Sequence, residues 1–353
     1  MVKRNRYLSC DQHTLFCNIW VTSFCNFACK YCYESTDKPE AYMSRETADQ
    51  TLQFLETMMQ QQNYDGIWLN FHGGEPMLNA DIIKYIAGEA ERRGYSIYTS
   101  MTTNCSVHDA EICNYIDELT VSLDGDQTVH DRNRVTRNGK GTFQLVIDNA
   151  RYYLEHAENV RLRMVVRSDT VSDLARSVQY LYGLGFRVII PGVDYFDPDW
   201  TEALFDQLLE QYQALHRWRI ANVHEEATIG TLDEKIQPRG KCAVGCDGYQ
   251  IAQDGKIYPC TYITGKPEYC IGDVRSGIDP EAVRRINCAV QQDVPACSGC
   301  ANIPYCIAQR CLILNQQLTG ELTTPAAVLC AEEHLRQKLR KYIRETGTGD
   351  AHV

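Results

Sequence analysis

Between residue 15 and about residue 215 the sequence alternates a strand pattern with a helical pattern, six times over. Leu15, Cys17, Ile19 and Val21 alternate with other residues as one face of a strand does. Ser44 stands where a helix N-cap belongs, and Ala48, Leu52, Leu55 and Met59 follow at helical spacing. "GIWLNFHGGEP" reads as a second strand and "NADIIKYIAGEAERRG" as a helix closed by Gly94. "YSIYTSMTTN", "ELTVSLDG", "VRLRMVV" and "RVIIPGV" read as four more strands, with helical segments around 109–115, 142–155, 171–184 and 199–214. Successive strand–helix units imply right-handed crossovers and therefore a parallel sheet. Polar residues gather where the strands end: Cys25 after the first, Glu75 after the second, Asn104 after the third and Asp124 after the fourth. Parallel α/β barrels build their sites at that end. The expected fold is α/β: an N-terminal segment 1–14, then a partial (β/α)6 TIM-type barrel over 15–215.

The cysteines constrain the chemistry. There are 17 in 353 residues, five before residue 33, two at Cys105 and Cys113, none from 114 to 241, and ten in 242–330. In a long chain without a secretory signal such clusters point to metal or redox chemistry rather than to disulfides. The start, "MVKRNRYLSCDQHTLFC", has no apolar core or cleavage site, and no apolar run approaches the roughly 20 residues of a membrane span. The expectation is a cytoplasmic protein with no membrane partner. A net charge of −11 argues against nucleic acid as the main partner. The one dense basic cluster, Arg336, Lys338, Arg340, Lys341 and Arg344, alternates with apolar residues as a solvated helix face does.

After a linker at 216–241, residues 242–330 are rich in glycine and cysteine, and metal would have to staple so small a core. A C-terminal helix and tail follow over 331–353, with Thr324 expected as N-cap and Pro325 at the first helical position.

Cys25, Cys29 and Cys32, spaced Cys-x3-Cys-x2-Cys in "SFCNFACKYCYES", can hold three corners of a [4Fe–4S] cluster and leave one iron open. A zinc knuckle that borrows a distant fourth ligand has similar needs. Downstream, Gly73 and Gly74 allow close backbone approach and Glu75 can accept from an amino group. Ser122 and Asp124 offer a hydroxyl and a carboxylate to a ribose.

In this order on successive strands the motifs resemble those of the radical S-adenosylmethionine (SAM) enzymes. The resemblance implies that Cys25, Cys29 and Cys32 hold the cluster, that SAM chelates its open iron, and that reductive cleavage of SAM gives a 5′-deoxyadenosyl radical. It implies cofactor contacts at Gly73, Gly74, Glu75, Ser122 and Asp124, with Tyr31 beside the adenine. A low-potential donor of flavodoxin or ferredoxin type would supply the electron.

The C-terminal cysteines resemble the SPASM extension of such enzymes, which binds two auxiliary [4Fe–4S] clusters, making three in all. Gly255-x4-Cys260 and Cys297-x2-Cys300-x5-Cys306 match its pattern, whereas Cys311 falls four residues beyond Cys306 rather than three. The resemblance assigns Cys242, Cys246, Cys260 and Cys311 to one cluster and Cys297, Cys300, Cys306 and Cys330 to the other. Two zinc sites are the alternative. Cys10, Cys17, Cys105, Cys113, Cys270 and Cys288 are left over, the last two close enough in sequence to be alternate ligands.

Relatives with this extension mostly modify peptides. In anaerobic sulfatase-maturating enzymes an aspartate base follows the cysteine of the Gly-x4-Cys step; here that position is Thr261. Peptide maturases often carry a leader-binding domain before the cysteine loop, and 24 residues precede Cys25 here, so leader recognition is expected from a separate protein or another surface. The resulting expectation is an oxidoreductase that matures a ribosomal precursor peptide by a thioether or carbon–carbon cross-link. Sulfatase-type formylglycine formation, radical chemistry on a small molecule and a zinc-binding interaction module are the alternatives.

Overall fold

The structure, a computed structural model, describes residues 13–34, 40–223, 226–234, 237–238, 240–242, 244 and 248–347. Cys10 and Cys246 lie outside the described residues. The first part of the chain runs β1 (Thr14–Thr22), α1 (Arg45–Gln62), β2 (Gly66–Gly73), α2 (Ala80–Arg92), β3 (Ile97–Thr103), β4 (Glu118–Ser122), α3 (Gln127–Asn133), α4 (Phe143–His156), β5 (Val160–Val166), α5 (Leu174–Gly183), β6 (Val188–Val193) and α6 (Glu202–Asn222). Strands β1 to β6 lie side by side in chain order, each pair parallel. Leu15, Cys17, Ile19, Ile67, Leu69, Phe71 and Val121 are buried under the helices, one in two along each strand. Ser44 caps α1 as expected, its Oγ accepting from the Thr47 N–H at 3.0 Å.

The second part adds β7 (Thr228–Ile229), α7 (Gly230–Asp233), β8 (Gly248–Ile251), β9 (Lys256–Tyr258), β10 (Gly272–Asp273), β11 (Gly277–Ile278), α8 (Pro280–Val290), α9 (Ile307–Arg310), α10 (Leu312–Thr319) and α11 (Ala327–Thr346). The hairpin β8–β9 turns at Gly255, φ +88°, and β8 pairs in parallel with β1 from Phe16 to Ile19. The cysteine-rich segment therefore shares the barrel's own sheet, in the order β11-β10-β9-β8-β1-β2-β3-β4-β5-β6-β7 among the described residues. Covering β1 in this way removes an open strand edge.

Three local expectations are corrected. The linker at 216–241 is partly regular: α6 continues to Asn222, with Leu215 and His216 buried, because its apolar spacing persists and no Gly or Pro stops it. The 109–115 segment makes only a 3-10 turn over Ala110–Asn114. The last helix starts at Ala327, not after Thr324, whose hydroxyl donates instead to Glu321 Oε2 at 2.8 Å. No described helix is long and apolar enough to cross a membrane.

Candidate functional site

Cys25, Cys29 and Cys32 lie in the loop between β1 and α1, partly buried except for Cys32, which is exposed. The loop is held from below by the chain that follows α3. Ala28 and Lys30 donate to the carbonyls of Val135 and Asn133 at 2.8 and 3.0 Å, and Arg137 Nε donates to the Cys25 carbonyl at 2.9 Å. Asn104, just past β3, donates from Nδ2 to Cys25 Sγ at 3.6 Å and to Asn26 Oδ1 at 3.0 Å. Burial pushes the Cys25 thiol up to about 12 and Cys29 up to about 11, the latter moderated by the Arg134 guanidinium. Burial thus disfavours bare thiolates here, and a bound cation would favour them. The loop suits a soft metal chemically, with soft donors on separate residues and N–H groups aimed at Cys25. No three His, Cys, Asp or Glu side chains among the described residues close on a single-ion position. In an iron–sulfur cubane each thiolate binds a different iron, so its ligands stand apart.

Gly73 and Gly74 have a different task from the one their motif first suggests. A Cβ on Gly73, whose φ is +147°, would lie 2.3 Å from the Thr22 carbonyl oxygen, and one on Gly74 would lie 2.3 Å from that of Phe24. Gly74 and Glu75 donate to those same carbonyls at 3.0 and 2.8 Å. The two glycines let the end of β2 seat directly against the root of the cysteine loop. Gly74→Ala is expected to cost about 1–3 kcal/mol in urea denaturation, because backbone and not a pliable side chain must yield.

The Glu75 carboxylate is 1% exposed and accepts from Thr103 Oγ1 at 2.6 Å, the Asn104 N–H at 2.6 Å and the Met77 N–H at 3.0 Å. Burial raises it to about 7 against those donors. It braces β2, β3 and Asn104 rather than presenting a free carboxylate to a ligand. Asp124 is also taken: Oδ1 accepts from the Val165 N–H at 3.0 Å, and Oδ2 from Arg134 Nε at 2.9 Å and the Tyr31 hydroxyl at 2.6 Å. Tyr31 lies with its ring 5.1 Å from the Arg134 guanidinium. Asp124 thus belongs to a buried Asp124–Arg134–Tyr31 brace under the cysteine loop. Ser122, at the end of β4, makes no side-chain hydrogen bond to a described residue.

Sequence reasoning passed over Arg134, Arg137 and His130. The available signal was the acidic N-cap Asp126, which accepts from the Val129 N–H at 3.1 Å and starts α3. His130 Nδ1 accepts from the Asp124 N–H at 3.4 Å, and Nε2 faces Thr142 Oγ1 at 3.0 Å. Burial lowers His130 to about 4. The unfolded chain takes up that proton first, near 6.5, so stability falls as pH drops from there towards 4. The loss amounts to roughly 3 kcal/mol, and His130→Asn should flatten it relative to the parent in urea titrations over that range. Asp194 and Asp197 pair with Arg167 at 3.2 and 3.4 Å and act structurally.

Farther along, Cys260 feels the charges of Cys311 and Cys242, and Cys311 that of Cys242, so three of the four cysteines of the first expected set are brought together. The extra residue before Cys311 is absorbed by the short turn α9. Cys330, on α11, feels Cys306, Cys297 and Cys300, and all four line one small cavity with Glu333. Cys17 and Cys105 are core residues, Cys113 is half-buried, the Cys270 thiol faces the Gly272 carbonyl at 3.2 Å, and Cys288 is exposed.

Between the cysteine loop and the hairpin lies a cavity of about 320 Å³ lined by Tyr33, Phe196, Thr261 and Tyr262 among others. Tyr262 meets Tyr33 and Phe196 at ring-centroid distances of 5.7 and 6.2 Å, which draws the chain after β9 across to the chain after β6. Thr261 donates to Gln250 Oε1 at 3.0 Å. A second cavity, of about 720 Å³ between α6 and α11, shares Phe196 and Gln317 with the first.

The sequence matches the radical SAM superfamily over residues 19–181. It is 22% identical over 322 residues to the cysteine-type anaerobic sulfatase-maturating enzyme of Clostridium novyi, covering 81% of this chain and 84% of that one. The structure of histidine-tagged anSMEcpe with bound AdoMet superposes with a TM-score of 0.78 at 16% identity, covering 96% of each chain. That of SuiB from Streptococcus suis bound to precursor peptide SuiA gives 0.66 at 15% identity, covering 90% of this chain and 76% of that one. At such identities the superpositions establish the fold.

Proposed function

This chain is a radical SAM enzyme, residues 19–181 forming its superfamily domain, and we propose that it matures a ribosomally made peptide by a thioether or carbon–carbon cross-link. The observation that carries the reading is a pair of neighbouring cavities. One, of about 320 Å³, lies beside the cysteine loop and the other, of about 720 Å³, between α6 and α11, and both have Phe196 and Gln317 in their walls. Two neighbouring cavities suit an extended chain better than a compact small molecule, for which one pocket of some 300–1,000 Å³ is typical. The peptide bound by SuiB supports the same reading.

In this proposal Cys25, Cys29 and Cys32 would hold a [4Fe–4S] cluster that binds SAM. Together these would supply radical hydrogen-atom abstraction from the peptide, with an electron from a flavodoxin- or ferredoxin-type donor. The chain's own residues do the holding. Arg134, braced by Asp124, keeps positive charge beneath the thiolates, Asn104 donates to Cys25, and Gly73 and Gly74 lock the loop root. Tyr33, Tyr262 and Phe196 wall the mouth. Cys242, Cys246, Cys260 and Cys311 would hold one auxiliary cluster, and Cys297, Cys300, Cys306 and Cys330 another, in a SPASM-type extension over 242–330.

Sulfatase-type formylglycine formation is the second reading, favoured by the similarity along 84% of the Clostridium novyi enzyme. Thr261 speaks against it, because no carboxylate stands there to act as base. Anaerobic reconstitution should give about twelve irons with matching sulfide per chain, four for each cluster. Zinc without sulfide would remove the radical mechanism altogether. Mass spectrometry with SAM and candidate precursor peptides should show loss of two hydrogens per cross-link. A cysteine peptide of a sulfatase turned into formylglycine instead would establish the second reading.

A further inference from the structure

A carboxylate more than nine-tenths buried lines the cavity beside the cysteine loop. Glu34, two residues past Cys32, has a side chain 8% exposed and stands in the wall of the cavity of about 320 Å³. Two residues of chain span at most about 7 Å, so this carboxylate is held close to the last cysteine of the loop. Trp20 and His72 are opposed in register near the ends of β1 and β2, their ring centroids 4.8 Å apart, and His72 Nδ1 is 3.9 Å from Glu34 Oε1. A histidine offsets a carboxylate only while it is protonated. The two lysines of the same wall are engaged elsewhere, Lys256 with Asp254 at 3.4 Å and Lys266 with Gln317. Trp20, Tyr33, Phe196 and Tyr262 give the cavity aromatic surface, and the Tyr33 phenol feels the Glu34 charge.

We propose that Glu34 and the rings around it form a subsite for a basic side chain, lysine or arginine, of the peptide that the enzyme modifies. The peptide reading above is its premise. A carboxylate withdrawn from water is costly unless opposite charge meets it, and an arriving ammonium or guanidinium brings that charge. Aromatic faces attract the same cations, more strongly where water is displaced. A long basic side chain also has the right shape, since its apolar stem can lie along Phe196 and Tyr262 while its head meets Glu34. An acidic side chain would be repelled by Glu34, and a neutral one would bring no countercharge.

The test uses the reconstituted full chain as wild type, Glu34→Gln, Glu34→Lys and Tyr33→Leu. Each is mixed with a pool of random octapeptides, acetylated at the N-terminus so that only side chains carry positive charge. Physiological salt screens the general negative charge of the chain. Retained peptides are sequenced by mass spectrometry. The wild type should enrich lysine and arginine roughly three- to tenfold over the pool. Glu34→Gln should remove that preference, and Glu34→Lys should turn it towards aspartate and glutamate, a reversal that misfolding cannot produce. Tyr33 is 41% exposed, so Tyr33→Leu probes the aromatic wall with little threat to the fold and should lower the enrichment about twofold or more. A basic preference that persists unchanged in Glu34→Gln and Tyr33→Leu overturns the proposal. Retained peptides without a basic preference in the wild type overturn it too, but leave the peptide reading standing, whereas a wild type that retains no peptide removes both. SAM affinity is read in parallel by equilibrium dialysis. A loss confined to SAM in Glu34→Gln, with the peptide preference unmoved, would assign Glu34 to the cofactor and likewise overturn the proposal.

Discussion

Replacing Cys25, Cys29 and Cys32 together by alanine abolishes formation of 5′-deoxyadenosine from SAM. The loss should reach the assay background, because the substitutions remove every cysteine of this loop. The protein should still fold, since Cys29 and Cys32 are at most partly buried and the loop is anchored through backbone bonds to Val135 and Asn133. About eight of twelve irons should remain if the two C-terminal sets hold clusters of their own, four irons each. Those two readouts separate the loop's role from that of the rest of the chain. Undiminished cleavage of SAM by the triple variant would sink the mechanism, and a fall to no iron at all would show that the C-terminal cysteines hold none.

Asp124→Ala lowers the stability of the protein by about 3–5 kcal/mol, the cost of leaving one member of a buried ion pair alone. Arg134 and Asp124 are 5% and 3% exposed, so the guanidinium cannot recover its loss from water. The Tyr31 hydroxyl and the Val165 N–H lose their acceptor in the same step. Urea denaturation measures the effect, and a loss under about 1 kcal/mol would mean that the brace is slack. Because Tyr31 and Arg134 underlie the cysteine loop, the same variant should take up less iron on reconstitution. Asp124→Asn keeps the Val165 bond but not the charge and should fall between the two.

Much of this site could be read from local pattern, and its limits are specific. The six strands were visible because apolar residues recur at every second position, and α1 because Ser44 precedes a helical stripe. The α3 helix was not seen: "QTVHDRN" is polar and too short to show a period, although Asp126 announced it. The cysteine spacings pointed to metal ligands because clustered thiols in a long chain without a secretory signal seldom mean disulfides. Glu75 and Asp124 stood out as candidate site residues, but nothing near them in the chain showed what they bond to. Their partners, Thr103, Asn104 and Arg134, approach only through strand pairing and the return of the chain after α3.

The order of strand and helix, the three-cysteine loop and the positions of the two later cysteine sets follow from the sequence by itself. Each depends on residues near one another in the chain. Which carboxylates are engaged among the described residues was decided by the tertiary structure. Hydrogen-bond donors and charges buried in a fold must be matched by partners, and those partners come from whichever strands the sheet brings together. So Asp124, which looks available in "SLDG", is bound to Arg134.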